Sequence, residues 1–286
     1  MTTRPVGIAL DIGTTTLVGS SVEIGAAGPV GVVDTVSAPN PQSAWGADLI
    51  SRVNAAVADP AAVDEMRASV IGACNDIIRE LSGPGRPAVV EVAAAGNSVM
   101  EHLFLGLSPE PFSRVPYRPA FREAQTVGAG KLGLEAEPGC PVYLFPLIGG
   151  FVGGDTVAVM LSLGIHGGEG GRGGGGGVEL AIDIGTNSEI VLRSGLAVYA
   201  TSAAAGPAFE GGELSCGMTA ARGAISGVRV TADGLELDVV GGVAPRGICG
   251  SGLIDAAAGL LRAGVIERSG RIKGPDEVST NLSVKI

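Results

Sequence analysis

The sequence predicts an α/β protein made of two related lobes, and three observations carry that prediction. An apolar strand that ends in an acid and a glycine turn, GIALDIGTTTLV at 7–18, returns nearly unchanged as ELAIDIGTNSEIV at 179–191. Strand-like and helix-like patterns alternate along both halves. A low-complexity run, GIHGGEGGRGGGGG at 164–177, separates the two copies. Glycine at that density cannot pack a core, and no strand–turn–helix frame surrounds it for phosphate binding, so it reads as a linker. The expected division is a first lobe at 1–165, a linker at 166–177 and a second lobe at 178–286.

The first lobe opens with strands at 6–11, 17–24 and 30–36, the last two joined through Gly25, Gly28 and Pro29. A helix follows on which Leu49, Ile50, Val53 and Val57 share one face. Asp59-Pro60 reads as a cap and first helical proline for a longer helix that turns Val63, Met66, Val70, Cys74, Ile77, Ile78 and Leu81 inward. SGPGRP at 82–87 stops it, and AVVEVAAAGN at 88–97 is a strand entering the helix SVMEHLFLGL. The proline-rich segment EPFSRVPYRPAFREAQTVGAG is expected to be irregular; 141–150 reads as a strand and 153–165 as a helix.

The second lobe restarts with three strands across 178–206 and a long loop at 207–225. A hairpin tipped by Asp233-Gly234 follows, then a glycine loop entering a helix at 247–266, then a polar tail with a weak terminal strand.

Composition narrows the function. The 286 residues are 45% hydrophobic and 17% charged, enough apolar material for a sizeable core. The net charge is −10 and no basic run with interleaved aromatics occurs, which disfavours nucleic acid as a partner. MTTRPVGIALDIG runs straight into a strand without a signal-type segment, and no apolar stretch reaches membrane-spanning length. A soluble, cytoplasmic chain with no membrane partner is expected. Cys74, Cys140, Cys216 and Cys249 are scattered without iron–sulfur spacing and read as reduced thiols. Trp45 reads as a packing residue, and His102 and His166 lack the neighbours of a catalytic triad.

The repeated turn brings three kinds of group to one point. A carboxylate at the strand end, Asp11 or Asp183, can hold Mg²⁺ directly or through its waters. Gly13 or Gly185 lets the backbone turn tightly against an anion. The amides and hydroxyls that follow, at Thr14, Thr15 and Thr16 in one copy and Thr186 and Asn187 in the other, can donate to phosphate oxygens. Two such turns facing each other would grip a polyphosphate from both sides, with Asp11 and Asp183 sharing the metal.

ALDIGTTT and AIDIGTNSE resemble the two phosphate motifs of the superfamily that contains acetate and sugar kinases, heat-shock ATPases and actin. That resemblance implies a duplicated ribonuclease H-like fold, two lobes around a nucleotide cleft, with ATP and Mg²⁺ as cofactors. It places LIGGFVGGDTVAVMLSLGI at 147–165 on the first connecting helix, where Asp155 would orient the attacking water; the other reading of Asp155 is a helix cap. Five further segments, NPQSAWGADLISRV at 40–53, AAAGNSVMEHLFLGL at 93–107, PLIGGFVGGDTVAVML at 146–161, AAAGPAFEGGELSCGM at 203–218 and GICGSGLIDAAAGLL at 247–261, resemble the ATPase module of reductive activators of corrinoid proteins.

The narrower resemblance implies ATP hydrolysis coupled to reduction of Co(II) to Co(I), a corrinoid protein or corrinoid methyltransferase as partner, and an electron-donor protein. Family members carry an N-terminal [2Fe–2S] domain; this chain begins at the ATPase strand, and no cluster is expected in it. They also continue into an adenosine-contacting turn and a final helix, so the second lobe is expected to be incomplete. A homodimer is left open.

Asn97 and Ser98 read equally as cleft-lining groups or a helix cap. By resemblance Glu210 is a cleft carboxylate, against a solvated loop acid. Gly250 and Ser251 lead a helix whose N-terminus could take an anion, or they form a packing turn. The alternatives to corrinoid activation are a small-molecule kinase of the same superfamily and a nucleotide-binding remnant without turnover.

Overall fold

The structure is a computed structural model describing residues 5–82, 88–137, 139–165, 177–206, 214–231 and 234–278. Two compact units divide the chain: Met1–Asp183 with Ser188–Ala203, and Ile184–Asn187 with Ala204–Ile286. Glu210, most of the glycine run, Asp233 and residues 279–286, the end of the tail in which a weak strand is expected, lie outside the described residues.

In the first unit, strands at Val6–Ile12 (β1), Thr16–Gly25 (β2) and Gly28–Pro39 (β3) form an antiparallel meander. Val89–Gly96 (β4) lies parallel to β1 on its other side. Gln125–Gly128 (β5) and Pro141–Leu144 (β6) complete a six-stranded sheet of order β3-β2-β1-β4-β6-β5. The register pairs Ile12 with Gly96. The turn after β1 and the junction after β4 therefore leave the sheet at the same edge, the end of a parallel pair where ligand sites gather.

The helices at Leu49–Ala58 (α1) and Ala62–Leu81 (α2) follow the meander. All seven inward residues expected on α2 are buried. At roughly 1.5–3 kcal/mol for each large apolar side chain, that stripe is a main anchor of the sheet. On α1 the expected apolar face is only half right. Leu49 and Val53 are buried, whereas Ile50 and Val57 are exposed and Arg52 is fully buried in their place. Asp59 does accept from the Ala61 N–H, but in the turn before α2, whose cap position falls on Ala61.

Ser98–Leu105 forms α3, capped by Asn97. The proline-rich segment is irregular from 114 to 124, as expected, after a short 3₁₀ turn at Glu110–Ser113; its end instead forms β5, antiparallel to β6, and leads into the short helix Ala129–Leu132 (α4). The strand expected at 141–150 ends at Leu144, and Gly154–Leu163 forms α5. Val178–Ile184 (β7), Asn187–Ser194 (β8) and Ala197–Ala204 (β9) make a three-stranded sheet. Ala181 and Val191 from that sheet bury against Ile165, with Met160 of α5 packed on the cluster.

In the second unit Ala224–Thr231 (β10) pairs antiparallel with Gly234–Val239 (β11) and parallel with Gly247–Ile248 (β12). The helix Gly250–Arg262 (α6) packs on β10.

Candidate phosphate and metal site

The turn at Gly13–Thr15 is held from behind by buried polar side chains. Asn40 Nδ2 donates to the Gly13 oxygen at 2.8 Å. Arg52 Nη2 donates to the Thr14 oxygen at 2.6 Å. The Asn40 main-chain N–H takes the Thr15 oxygen at 2.8 Å. In a trans peptide the C=O and the next N–H point in opposite directions. Holding the carbonyls of Gly13 and Thr14 inward thus turns the N–H groups of Thr14 and Thr15 away from Asn40 and Arg52. Successive amides aimed to one side form an anion-binding concavity. Gly13 is required where it stands, because a Cβ there would run into the Thr16 carbonyl oxygen.

Asn97 joins this turn to the β4–α3 junction. Its Oδ1 accepts from Met100 N at 3.0 Å and caps α3, while its Nδ2 donates to Thr14 Oγ1 at 3.1 Å. The cap reading of Asn97 holds, and the same buried side chain also reaches the turn. The Thr14 side chain is nearly buried, so its hydroxyl serves the turn from inside. Asp11 stands exposed on β1, one residue before the strand ends.

The start of α5 closes on the same junction. A Cβ on Gly153 would strike the Asn97 backbone, and one on Gly154 would strike Glu101 Oε1. These two glycines let the helix bring in Asp155. Its cap position is Gly153, so Asp155 lies inside the first turn and does not cap the helix. Its Oδ1 instead accepts from the Thr156 N–H at 2.6 Å and from Thr156 Oγ1 at 3.2 Å, which fixes the carboxylate plane. Burial lifts the Asp155 carboxyl to about 6, against the Thr156 hydrogen bonds and with the charge of Asp183 adding to it.

Asp183, on β7, therefore acts on Asp155 within the first unit. Glu189 on β8 joins them. It is buried, hydrogen-bonded to Ser202 Oγ at 2.9 Å, and pushed up to about 7 by burial first and then by Asp155 and Asp183. Beneath them Glu101 of α3 is wholly buried; its Oε1 accepts from the Gly96 N–H at 3.3 Å, and burial raises it to about 9. Glu101 is a neutral acid at pH 7.

Arg52, Glu101 and Glu189 were not singled out in the sequence. The available signals were an arginine on an otherwise apolar helix face, an acid inside the apolar helix SVMEHLFL, and an acid at an inward position of β8.

The second turn belongs to the other unit from Ile184 to Asn187, which contains Gly185 and Thr186. The Thr186 oxygen accepts from the N–H groups of Ala205 and Gly206 at 3.1 and 3.0 Å, which turns the Asn187 N–H away from them. Ser251 Oγ donates to the Ser226 oxygen at 2.7 Å, and a Cβ on Gly252 would strike the Ile225 oxygen. The start of α6 from Gly250 is thus built for close packing on β10. His102 holds the Ser98 oxygen and the Ala120 N–H and stacks on Phe121, a packing role, and Trp45 packs against the core.

Among the described residues no three His, Cys, Asp or Glu side chains converge to cage a metal. No helix among them is long and apolar enough to cross a membrane.

The mixed α/β architecture, with this glycine turn at the end of a parallel strand pair, is of the ASKHA, or actin-type, class. Residues 6–168 match the family described as the RACo middle region, and residues 177–283 match the C-terminal domain of RACo, the ASKHA domain. The chain belongs to the RACo family. It is 35% identical over 272 residues to the corrinoid activation enzyme RamQ of Eubacterium limosum, covering 94% of this chain and 44% of that protein. It is 31% identical over 170 residues to a Co(II) methylated amine-specific corrinoid protein reductase of Methanosarcina barkeri, covering 51% of this chain and 30% of that protein. It is similar to a solved reductive activator for corrinoid, iron–sulfur protein, with a TM-score of 0.83 and 36% identity over 96% of this chain and 43% of that one. The chain thus spans less than half the length of the relatives it matches.

Proposed function

We propose that this chain is the nucleotide-handling module of an ATP-dependent reductive activator, which drives a corrinoid protein from Co(II) to Co(I) with electrons from a separate donor protein. The observation that carries the reading is the inward clamping of the Gly13 and Thr14 carbonyls by Asn40 and Arg52, which aims two successive amides outward. Membership of a family whose relatives are named for corrinoid activation supplies the coupled reaction.

The residues suit Mg²⁺ and a polyphosphate. The charges of Asp155 and Asp183 raise the proton affinity of Glu189, and a divalent cation held nearby would relieve that repulsion as protons do. Mg²⁺ keeps most of its waters, so one or two carboxylates suffice, and Asp11 and Asp183 at the strand ends are the proposed ligands. Bound Mg–ATP would supply a cleavable phosphoanhydride. The chain's own groups would do the rest. The N–H groups of Thr14 and Thr15 hold phosphate oxygens, with those of Gly13 and Thr16 beside them. Gly185, Thr186 and Asn187 are proposed to contact phosphate in the second copy of the turn. Asp155, held by Thr156 and ionised above about pH 6, orients water and accepts its proton. Nucleotide-dependent affinity for two states of the partner is what can bias an otherwise uphill electron transfer. Four free thiols fit a reducing, cytoplasmic compartment.

The test follows cobalt absorbance while the purified chain, a corrinoid protein, a low-potential electron donor and Mg–ATP are combined. Formation of Co(I) that requires both the chain and ATP, and is lost in Asp155→Asn, supports the reading. Phosphate transfer to a small molecule with no change at cobalt supports a kinase instead, and no turnover of any kind supports a nucleotide-binding remnant.

A further inference from the structure

Arg52 has 0% of its surface exposed, yet none of its hydrogen bonds is to a carboxylate. Nε donates to the Gly46 oxygen at 3.0 Å, Nη1 to Gln42 Oε1 at 3.4 Å and to Met100 Sδ at 3.2 Å, and Nη2 to the Thr14 oxygen at 2.6 Å. These acceptors are all neutral. The carboxylate that acts on it, Asp48, does so from the α1 cap, where its own oxygens are taken by the N–H and hydroxyl of Ser51. A buried cation without a close counter-charge is strongly unfavourable, and an apolar side chain of similar size would serve the packing better. A merely structural pin for the Thr14 carbonyl needs a donor but no charge.

The position of the charge suggests what it is for. The Thr14 carbonyl and the Thr15 N–H belong to one peptide. A guanidinium on the oxygen polarises that peptide and makes the N–H on its far side a stronger donor. Asn40 treats the Gly13–Thr14 peptide in the same way with a neutral amide.

We propose that Arg52 is a positioning residue of the phosphate turn, whose buried positive charge acts through the Thr14–Thr15 peptide and is neutralised when a polyphosphate binds on the other side. The proposal rests on the reading of Gly13–Thr15 as a phosphate site and adds the source of its positive field.

The probe is inorganic tripolyphosphate with Mg²⁺, titrated calorimetrically into the purified chain, with thermal unfolding measured in parallel. Arg52→Gln should weaken binding by about tenfold or more per folded molecule, whereas Arg52→Lys, which keeps the charge, should stay within about threefold. Gln42→Glu is the second arm and keeps the guanidinium. It places a carboxylate where Gln42 Oε1 now meets Nη1 and gives up the Gln42 Nε2 bond to the Met66 oxygen, so binding is read per folded molecule and should also weaken about tenfold. A structural pin would not respond to Gln42→Glu in this way. Undiminished binding in both Arg52→Gln and Gln42→Glu, or equal loss in Arg52→Lys and Arg52→Gln, overturns the proposal and leaves the phosphate reading standing. No binding by the unaltered chain overturns both.

Discussion

Asn97 Nδ2 lies 3.1 Å from Thr14 Oγ1, so the residue that caps α3 also ties the first phosphate turn to the neighbouring parallel strand. Asn97→Ala removes a cap and leaves the buried Thr14 hydroxyl without this partner. Loss of the cap alone costs about 1 kcal/mol, and the orphaned partner brings the expected total to about 2–3 kcal/mol. Urea denaturation measures it, and Asn97→Asp, which can still cap, should recover part of the loss.

Asp155 and Glu189 give a pH dependence with a definite sign. Both bind protons more tightly folded than unfolded, with folded values of about 6 and about 7. Between the ordinary carboxyl range near pH 4 and those values the folded chain holds more protons than the unfolded one, so stability falls as pH rises through that window and levels off above it. Asp155→Asn should therefore be more stable than the unaltered chain at pH 8, by about 2–3 kcal/mol, and nearly equal to it at pH 4. Denaturation midpoints at the two pH values check this. The same substitution should abolish any rise in ATP hydrolysis through pH 6.

Gly13→Ala forces a methyl against the Thr16 carbonyl oxygen. The turn must shift, and the Thr14 and Thr15 amides shift with it. The expected result is a loss of about 1–3 kcal/mol in stability together with loss of polyphosphate binding. Thermal unfolding and calorimetry read the two effects separately.

The thiols should divide by exposure. Cys216 is exposed, whereas Cys74, Cys140 and Cys249 are buried, with Cys74 pushed up to about 12 by burial. A thiol reagent should modify one cysteine quickly under native conditions and the other three only as the chain unfolds.

The parts of the molecule that were legible in the sequence are those set by local pattern. The α2 stripe from Val63 to Leu81 follows helical period, and the Asp–Gly turns follow strand-end chemistry. The unexpected β5 depends on pairing with β6, which the proline-rich composition of its surroundings conceals. On α1, hydrophobic periodicity placed Ile50 and Val57 inside, and the need to hold the Thr14 carbonyl placed Arg52 there instead. The same limit hid Glu101 and Glu189. Their altered proton affinities come from burial and from Asp155, which is distant in sequence from both. Asp155 itself was found by resemblance, and its place inside the helix turn came from the close approach allowed by Gly153 and Gly154.

The most direct test of the central claim is calorimetric titration of Mg–ATP into the purified chain and its Asp11→Asn variant. The clamped turn and its strand-end carboxylate predict saturable, Mg²⁺-dependent binding that weakens about tenfold or more in the variant. An absence of binding, or affinity unchanged by both Asp11→Asn and Gly13→Ala, would contradict the account.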